Sequence, residues 1–150
     1  IIAIIFDKIN TKFKFFKNQI DYEDVQKLLP GFIDSKIAYK ERFVVQIASK
    51  IITINTSDIS YFYVLEKSTF VCNKLGKSYP IDFSLEKIEE LINPELFFRI
   101  NRQFIVNFSS IDNIQKTSKS RIKISVSPCF NDELWVSTQK TSQFREWLER

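Results

Sequence analysis

Residues 96–107 read Leu96-Phe97-Phe98-Arg99-Ile100-Asn101-Arg102-Gln103-Phe104-Ile105-Val106-Asn107. Two runs of aromatic and branched side chains flank a polar corner, Asn101-Arg102-Gln103. Such side chains fit a pleated, half-buried surface. The stretch therefore predicts two short strands, Phe97 to Ile100 and Phe104 to Asn107. A corner between strongly apolar strands must face outward, because its polar groups need water or a ligand.

The same pattern recurs on both sides. Toward the C-terminus, Ile111 to Gln115, Arg121 to Val126 and Leu134 to Val136 predict strands. A polar tip, Lys116-Thr117-Ser118-Lys119-Ser120, separates the first two, and Pro128-Cys129-Phe130-Asn131-Asp132 separates the last two. Ser137 is placed to cap a terminal helix near 138–149, whose inner face is Phe144, Trp147 and Leu148. Toward the N-terminus, Ser84 is an N-cap for a helix over 84–92 that Asn93-Pro94 stops; Leu85, Ile88, Leu91 and Ile92 share its inner face. Before it, Phe43 to Ile47 and Ile51 to Ile54 predict a hairpin split at Ser49-Lys50. Ile59 to Leu65, Thr69 to Asn73 and Ser78 to Ile81 follow as strands, with breaks at Glu66-Lys67-Ser68 and Leu75-Gly76-Lys77. Many short strands at regular spacing, with two flanking helices, predict a mostly-β sandwich or barrel-like domain over 41–150.

The first 40 residues read differently. Ile2, Ile5, Ile9, Phe13, Phe16 and Ile20 recur at steps of three and four, a heptad seam, while Lys8, Lys12, Lys14 and Lys17 take other faces. This predicts an amphipathic helix over 1–20 that either packs on its own domain or pairs with a second copy as a linker. Asp21 caps a short second helix through Leu29, and Pro30-Gly31 ends it. The domain boundary is expected near Lys40. With no initiator Met, the chain reads as a fragment of a longer protein.

Composition removes several function classes. The 150 residues hold no His, so the commonest acid–base and metal-ligand side chain is missing. There is no Gly-rich phosphate loop, no GxSxG and no Cys–His pair. Acidic residues fall mostly on the helices beside lysines, which reads as a solvated face with helix-internal ion pairs. No enzyme, cofactor or metal is expected. Cys72 and Cys129 are far apart in sequence and form no metal motif, so they read as reduced, at least partly buried thiols of a cytosolic protein. No apolar run approaches the length of a membrane span. The net charge of +4 is a modest basic excess that permits nucleic-acid binding without demanding it. Polar turns offer the chemistry for it: Lys67-Ser68-Thr69, Asn101-Arg102-Gln103, the Lys116 to Ser120 tip with Lys116 and Lys119, and Ser137-Thr138-Gln139-Lys140. Lys and Arg neutralise phosphates, Asn and Gln bond base edges, and a helix start after Ser137 offers free N–H groups to an anion.

The stretch 96–107 also resembles the signature of the LytTR-type DNA-binding domain, F-x-R-x-[H/N]-[R/N]-x-x-[I/V]-V-N. The resemblance extends to Asp58-Ile59-Ser60-Tyr61-Phe62, to the helix from Leu85 to Leu91 with Asn93-Pro94, and to Val136-Ser137 and Phe144 to Leu148; it covers about residues 41–150. It implies an elongated β-β-β sandwich of about ten short strands with small helices, preceded by a linker helix, whose loops enter successive DNA grooves. It further implies the output domain of a response regulator: double-stranded DNA at repeated promoter sites as partner, a homodimer on DNA, a receiver domain in the full-length chain, a sensor histidine kinase upstream, and no cofactor. The contact positions it carries over are Lys67, Ser68 and Thr69, then Asn101, Arg102 and Gln103, then Ser137 to Lys140. Thr69 and Gln139 are uncharged where some relatives use His or Arg. The alternative from a different class is a non-enzymatic interaction module that regulates a partner protein without tight DNA binding.

Overall fold

The structure is a computed structural model that describes residues 38–150; the expected helices over 1–29 lie outside the described residues. Tyr39–Arg150 forms one compact unit. Its strands are β1 (Arg42–Ile47), β2 (Lys50–Asn55), β3 (Ile59–Leu65), β4 (Ser68–Asn73), β5 (Ser78–Ile81), β6 (Phe97–Arg99), β7 (Phe104–Asn107), β8 (Ile111–Lys116), β9 (Ile122–Val126) and β10 (Leu134–Trp135). Helix α1 (Leu85–Leu91) lies between β5 and β6, and α2 (Thr141–Leu148) ends the chain. The strands form three antiparallel sheets: β1-β2, β5-β4-β3-β7-β6 and β10-β9-β8.

The period of two in the sequence explains why the five-stranded sheet lies in the middle. On β3, Phe62 points to one face and Tyr61 and Tyr63 to the other; on β7, Ile105 opposes Phe104 and Val106. Both faces are apolar, so each must be covered. One is covered by Phe43, Val45 and Ile54 of the β1-β2 hairpin together with Leu85, Ile88 and Ile92 of the α1 region. The other is covered by Ile122, Ile124, Val126 and Leu134 of the third sheet and by Phe144 and Trp147 of α2. The result is two cores sharing one sheet, the elongated β-β-β arrangement. The aromatic side chains interlock within it: Phe43 meets Phe62 edge-on at 5.3 Å, and Phe98 meets Phe144 at 5.4 Å between centroids.

Several local expectations shift. The β1–β2 turn is Ala48-Ser49, with Ile47 opposite Lys50, one residue earlier than expected; Ala48 takes φ 54° there. The β3–β4 turn is only Glu66-Lys67, both with positive φ (49° and 67°), so Ser68, expected in the break, joins Thr69 in β4. A two-residue hairpin demands this geometry to match the strand twist, although neither residue is a glycine. Ser84 caps α1 as expected, its Oγ accepting from Lys87 N at 3.2 Å. Ser137 makes no side-chain cap; a 3-10 turn over Thr138–Lys140 intervenes before α2 begins at Thr141. Of the helix acids, Glu90 pairs with Lys87 within α1, but Glu86 and Glu89 reach across to Arg99 instead. Cys72 is buried, whereas Cys129 is exposed, because the loop between β9 and β10 turns it outward while Phe130 packs against Tyr61, Tyr63 and Phe104.

Candidate nucleic-acid interface

The corner at 101–103 is built by its own sequence. Asn101 Oδ1 accepts from the backbone N–H groups of Gln103 at 2.7 Å and Phe104 at 3.0 Å, and its Nδ2 donates to Trp135 O at 2.8 Å. The first two bonds close the turn; the third ties it to β10. Arg99 braces the same corner from the side. Its Nε donates to Asn101 O at 3.1 Å and its Nη2 to Arg102 O at 3.2 Å. The remaining capacity of its guanidinium goes to Glu89 and Glu86, each at 3.0 Å. Burial opposes the charge on Arg99, yet the hydrogen bonds and charges of Glu89 and Glu86 outweigh it and hold the pKa above its ordinary value. Glu86 is held below the usual carboxylate range by its own backbone N–H first and by Arg99 second.

Backbone hydrogen bonds then gather the separate polar turns to one edge of the molecule. Val64 N donates to Gln103 O at 3.0 Å, which places the Glu66-Lys67 turn beside the corner. Ser137 N donates to Ile100 O at 2.8 Å, which brings the segment 137–140 to its other side. Val136 N donates to Ile122 O at 2.9 Å, and Ile122 faces Lys116 across β8 and β9. The tip with Lys116 and Lys119 therefore sits at the same end as Ser137. Four segments, far apart in sequence, form one polar rim.

The rim sorts the expected contact residues into two groups. Lys67, Ser68, Arg102, Gln103, Lys116, Lys119, Thr138 and Gln139 are exposed. Arg102 takes part in none of the ion pairs among the described residues. Asn101, Thr69, Ser137 and Lys140 are half-buried. Asn101 spends its amide on the turn. Lys140 donates to Arg99 O at 3.1 Å, and burial lowers its pKa, with Glu89 opposing and Arg99 adding to that shift. Thr69 faces Val64 and Ile81 within the sheet.

One residue of the rim was not singled out by its sequence. Arg121 is exposed at the foot of β9, its guanidinium carbon 4.6 Å from the centre of the Trp135 ring. In sequence it reads as the first residue of a strand; only the pairing of β9 with β10 brings it over Trp135. The signal available was modest, a third cation six residues into the run that starts at Lys116.

Comparison with protein families and solved structures agrees with this architecture. Residues 49–149 match the family model of the LytTr DNA-binding domain. Among solved structures, the chain resembles the LytTr DNA-binding domain of a protein described as a methyl-accepting/DNA response regulator from Bacillus cereus. The TM-score is 0.65 at 25% identity, covering 74% of this chain and 99% of that one. With a family-model match across two-thirds of its length and a similar fold in that solved domain, this chain belongs to the LytTr DNA-binding domain family.

Proposed function

We propose that the domain binds duplex DNA sequence-specifically through the rim, as the output part of a two-component response regulator that controls transcription in the bacterial cytoplasm. The observation that carries this is the convergence of four polar segments on one edge, with Arg102 exposed, in none of the ion pairs among the described residues, and held on a braced backbone. Rigid support lowers the entropy cost of fixing a long side chain on a ligand. Arg102 and Gln103 are the base-reading pair, because guanidinium and amide groups match the donor and acceptor pattern of base edges. Thr138 and Gln139 add polar contacts from the other side of the corner. Lys67, Lys116 and Lys119, together with Ser68, meet phosphates and set the register. Asn101, Thr69, Ser137 and Lys140 serve by shaping the rim.

The regulator setting adds a receiver domain in the full-length chain, a sensor histidine kinase upstream, and two copies on repeated promoter sites. The similarity to the Bacillus cereus response-regulator domain supports that setting. The test is fluorescence polarisation with duplexes from the protein's own upstream region and a scrambled control, across a salt series. Preferential binding that weakens steeply with salt is expected. Equal, weak binding to both duplexes would refute sequence-specific recognition and favour the protein-interaction alternative.

A further inference from the structure

We propose that Arg121, lying over the Trp135 ring, is a phosphate clamp that fixes the domain's register on DNA, an assignment that rests on the DNA-binding reading of the rim. On β9, Ile122, Ile124 and Val126 point into the core, so Arg121 and Lys123 share the outer face of the third sheet. Trp135 lies opposite Lys123 on β10 and presents its ring on that same face. Two cations therefore approach one indole, but they differ in kind. Lys123 is 6.0 Å from the ring centre and is bound to Glu133 at 2.7 Å, so its charge is answered within the protein. Arg121 is closer to the ring and joins none of the ion pairs among the described residues.

An indole face attracts a guanidinium yet leaves the N–H groups along its edge free to donate. The cation–π contact thus orders the side chain without using its hydrogen-bonding capacity. A planar fork held in that way suits the two oxygens of a phosphodiester. Its position fits as well. The backbone carbonyl of Trp135 accepts from Asn101, so the platform under Arg121 is hydrogen-bonded to the corner that carries Arg102. The Thr117 N–H donates to Arg121 O at 2.8 Å, which keeps Arg121 beside the tip bearing Lys116 and Lys119. No acidic residue occurs between Lys116 and Arg121. A DNA strand whose bases face Arg102 would run its backbone past this cationic patch.

The experiment compares the full chain with Arg121→Ala, Arg121→Lys and Trp135→Leu on the upstream duplex and its scrambled control between 50 and 200 mM salt. Arg121→Ala should weaken both complexes by roughly tenfold, the loss of one charge-assisted contact. It should also reduce the salt slope by about 0.9, one phosphate fewer. Arg121→Lys should keep the slope but recover only part of the affinity, because an ammonium neither lies flat on the ring nor forks. Trp135→Leu, which removes the platform and no charge, should weaken both complexes by a smaller factor. Unchanged affinity and slope for Arg121→Ala, with the unaltered protein still preferring its site, overturns the clamp and leaves the DNA-binding reading intact. Loss confined to the specific duplex overturns it too, since Arg121 would then read bases. If the unaltered protein binds neither duplex, both proposals fall. Should Arg121→Ala not fold, Arg121→Lys and Trp135→Leu carry the test alone.

Discussion

Replacing Arg99 by Leu would test how the corner is held. Leu keeps much of the buried apolar stem and removes every donor. Arg99 has a side-chain exposure of 13% and donates to the carbonyls of Asn101 and Arg102. Hydrogen bonds from a charged donor contribute about 1.5–3 kcal/mol each. Both carbonyls lie at an exposed corner and regain water when Arg99 is lost, so the lower end applies. Glu86 and Glu89 are 70% and 42% exposed, rehydrate as readily, and add little. The expected cost is about 2–4 kcal/mol, or a fall of roughly 10 °C in melting temperature for a domain of this size. Because Arg99 itself does not face outward, its effect on DNA must act through the backbone it braces. At 15 °C, where the variant remains folded, specific affinity should drop by about tenfold, as Arg102 pays an ordering cost that the brace had removed. Arg99→Lys should recover part of the stability through one carbonyl and little of the affinity. Thermal melts by circular dichroism and polarisation titrations provide the two readouts. A lowered melting temperature with affinity intact would refute the claim that Arg99 positions the corner for DNA.

Further expectations concern single residues of the rim. Arg102→Ala should reduce specific affinity by roughly 1–3 kcal/mol, one good base contact, and leave the melting temperature nearly unchanged; unchanged affinity for a verified site would take Arg102 off the interface. Lys67→Ala should weaken binding to all duplexes alike and lower the salt slope by about one unit, as read from titrations between 50 and 200 mM salt. Asn101→Ala should destabilise the fold by about 2–3 kcal/mol in urea unfolding, because three backbone groups lose their partner at once. Acid should weaken the fold. Glu86 and Glu133 are both held below their ordinary value of 4.5, Glu86 by its own N–H and Arg99, Glu133 by Lys123. Their stabilisation is therefore full above that value and is lost as pH falls through the lowered pKa values. Melting temperatures from pH 6 to pH 3 should drop, less so in Arg99→Leu, where the Arg99 contribution to Glu86 is already gone.

The signature stretch was legible as strands and a corner because side-chain period and apolar content act locally. The roles within it were not. Of its polar residues, Arg99, Asn101 and Asn107 face inward: Asn107 Nδ2 donates to Ile59 O at 2.8 Å and its Oδ1 accepts from Ser109 N at 3.1 Å. The resemblance names Asn101 as a contact position; that its amide also closes the turn and ties it to β10 is something no linear string shows. Lys140 illustrates the same gap, since its Nζ finds Arg99 O across 41 residues of sequence. The positive φ at Glu66 and Lys67 was equally hidden, because neither residue type advertises that conformation and only the register of Leu65 opposite Ser68 forces it.

The sequence by itself determined the class of the fold, nearly every strand, both helices of the domain, and the outward-facing corner. Those features follow from short-range rules: alternation of apolar side chains, N-cap residues, and polar breaks between runs. Tertiary structure alone decided which turns share an edge, which of their side chains stay exposed there, and that Arg121 lies over Trp135. Each of those depends on sheet pairing between distant segments, as when β9 and β10 align or Ser137 bonds Ile100, and pairing partners are chosen by the shape of two cores that no single segment encodes.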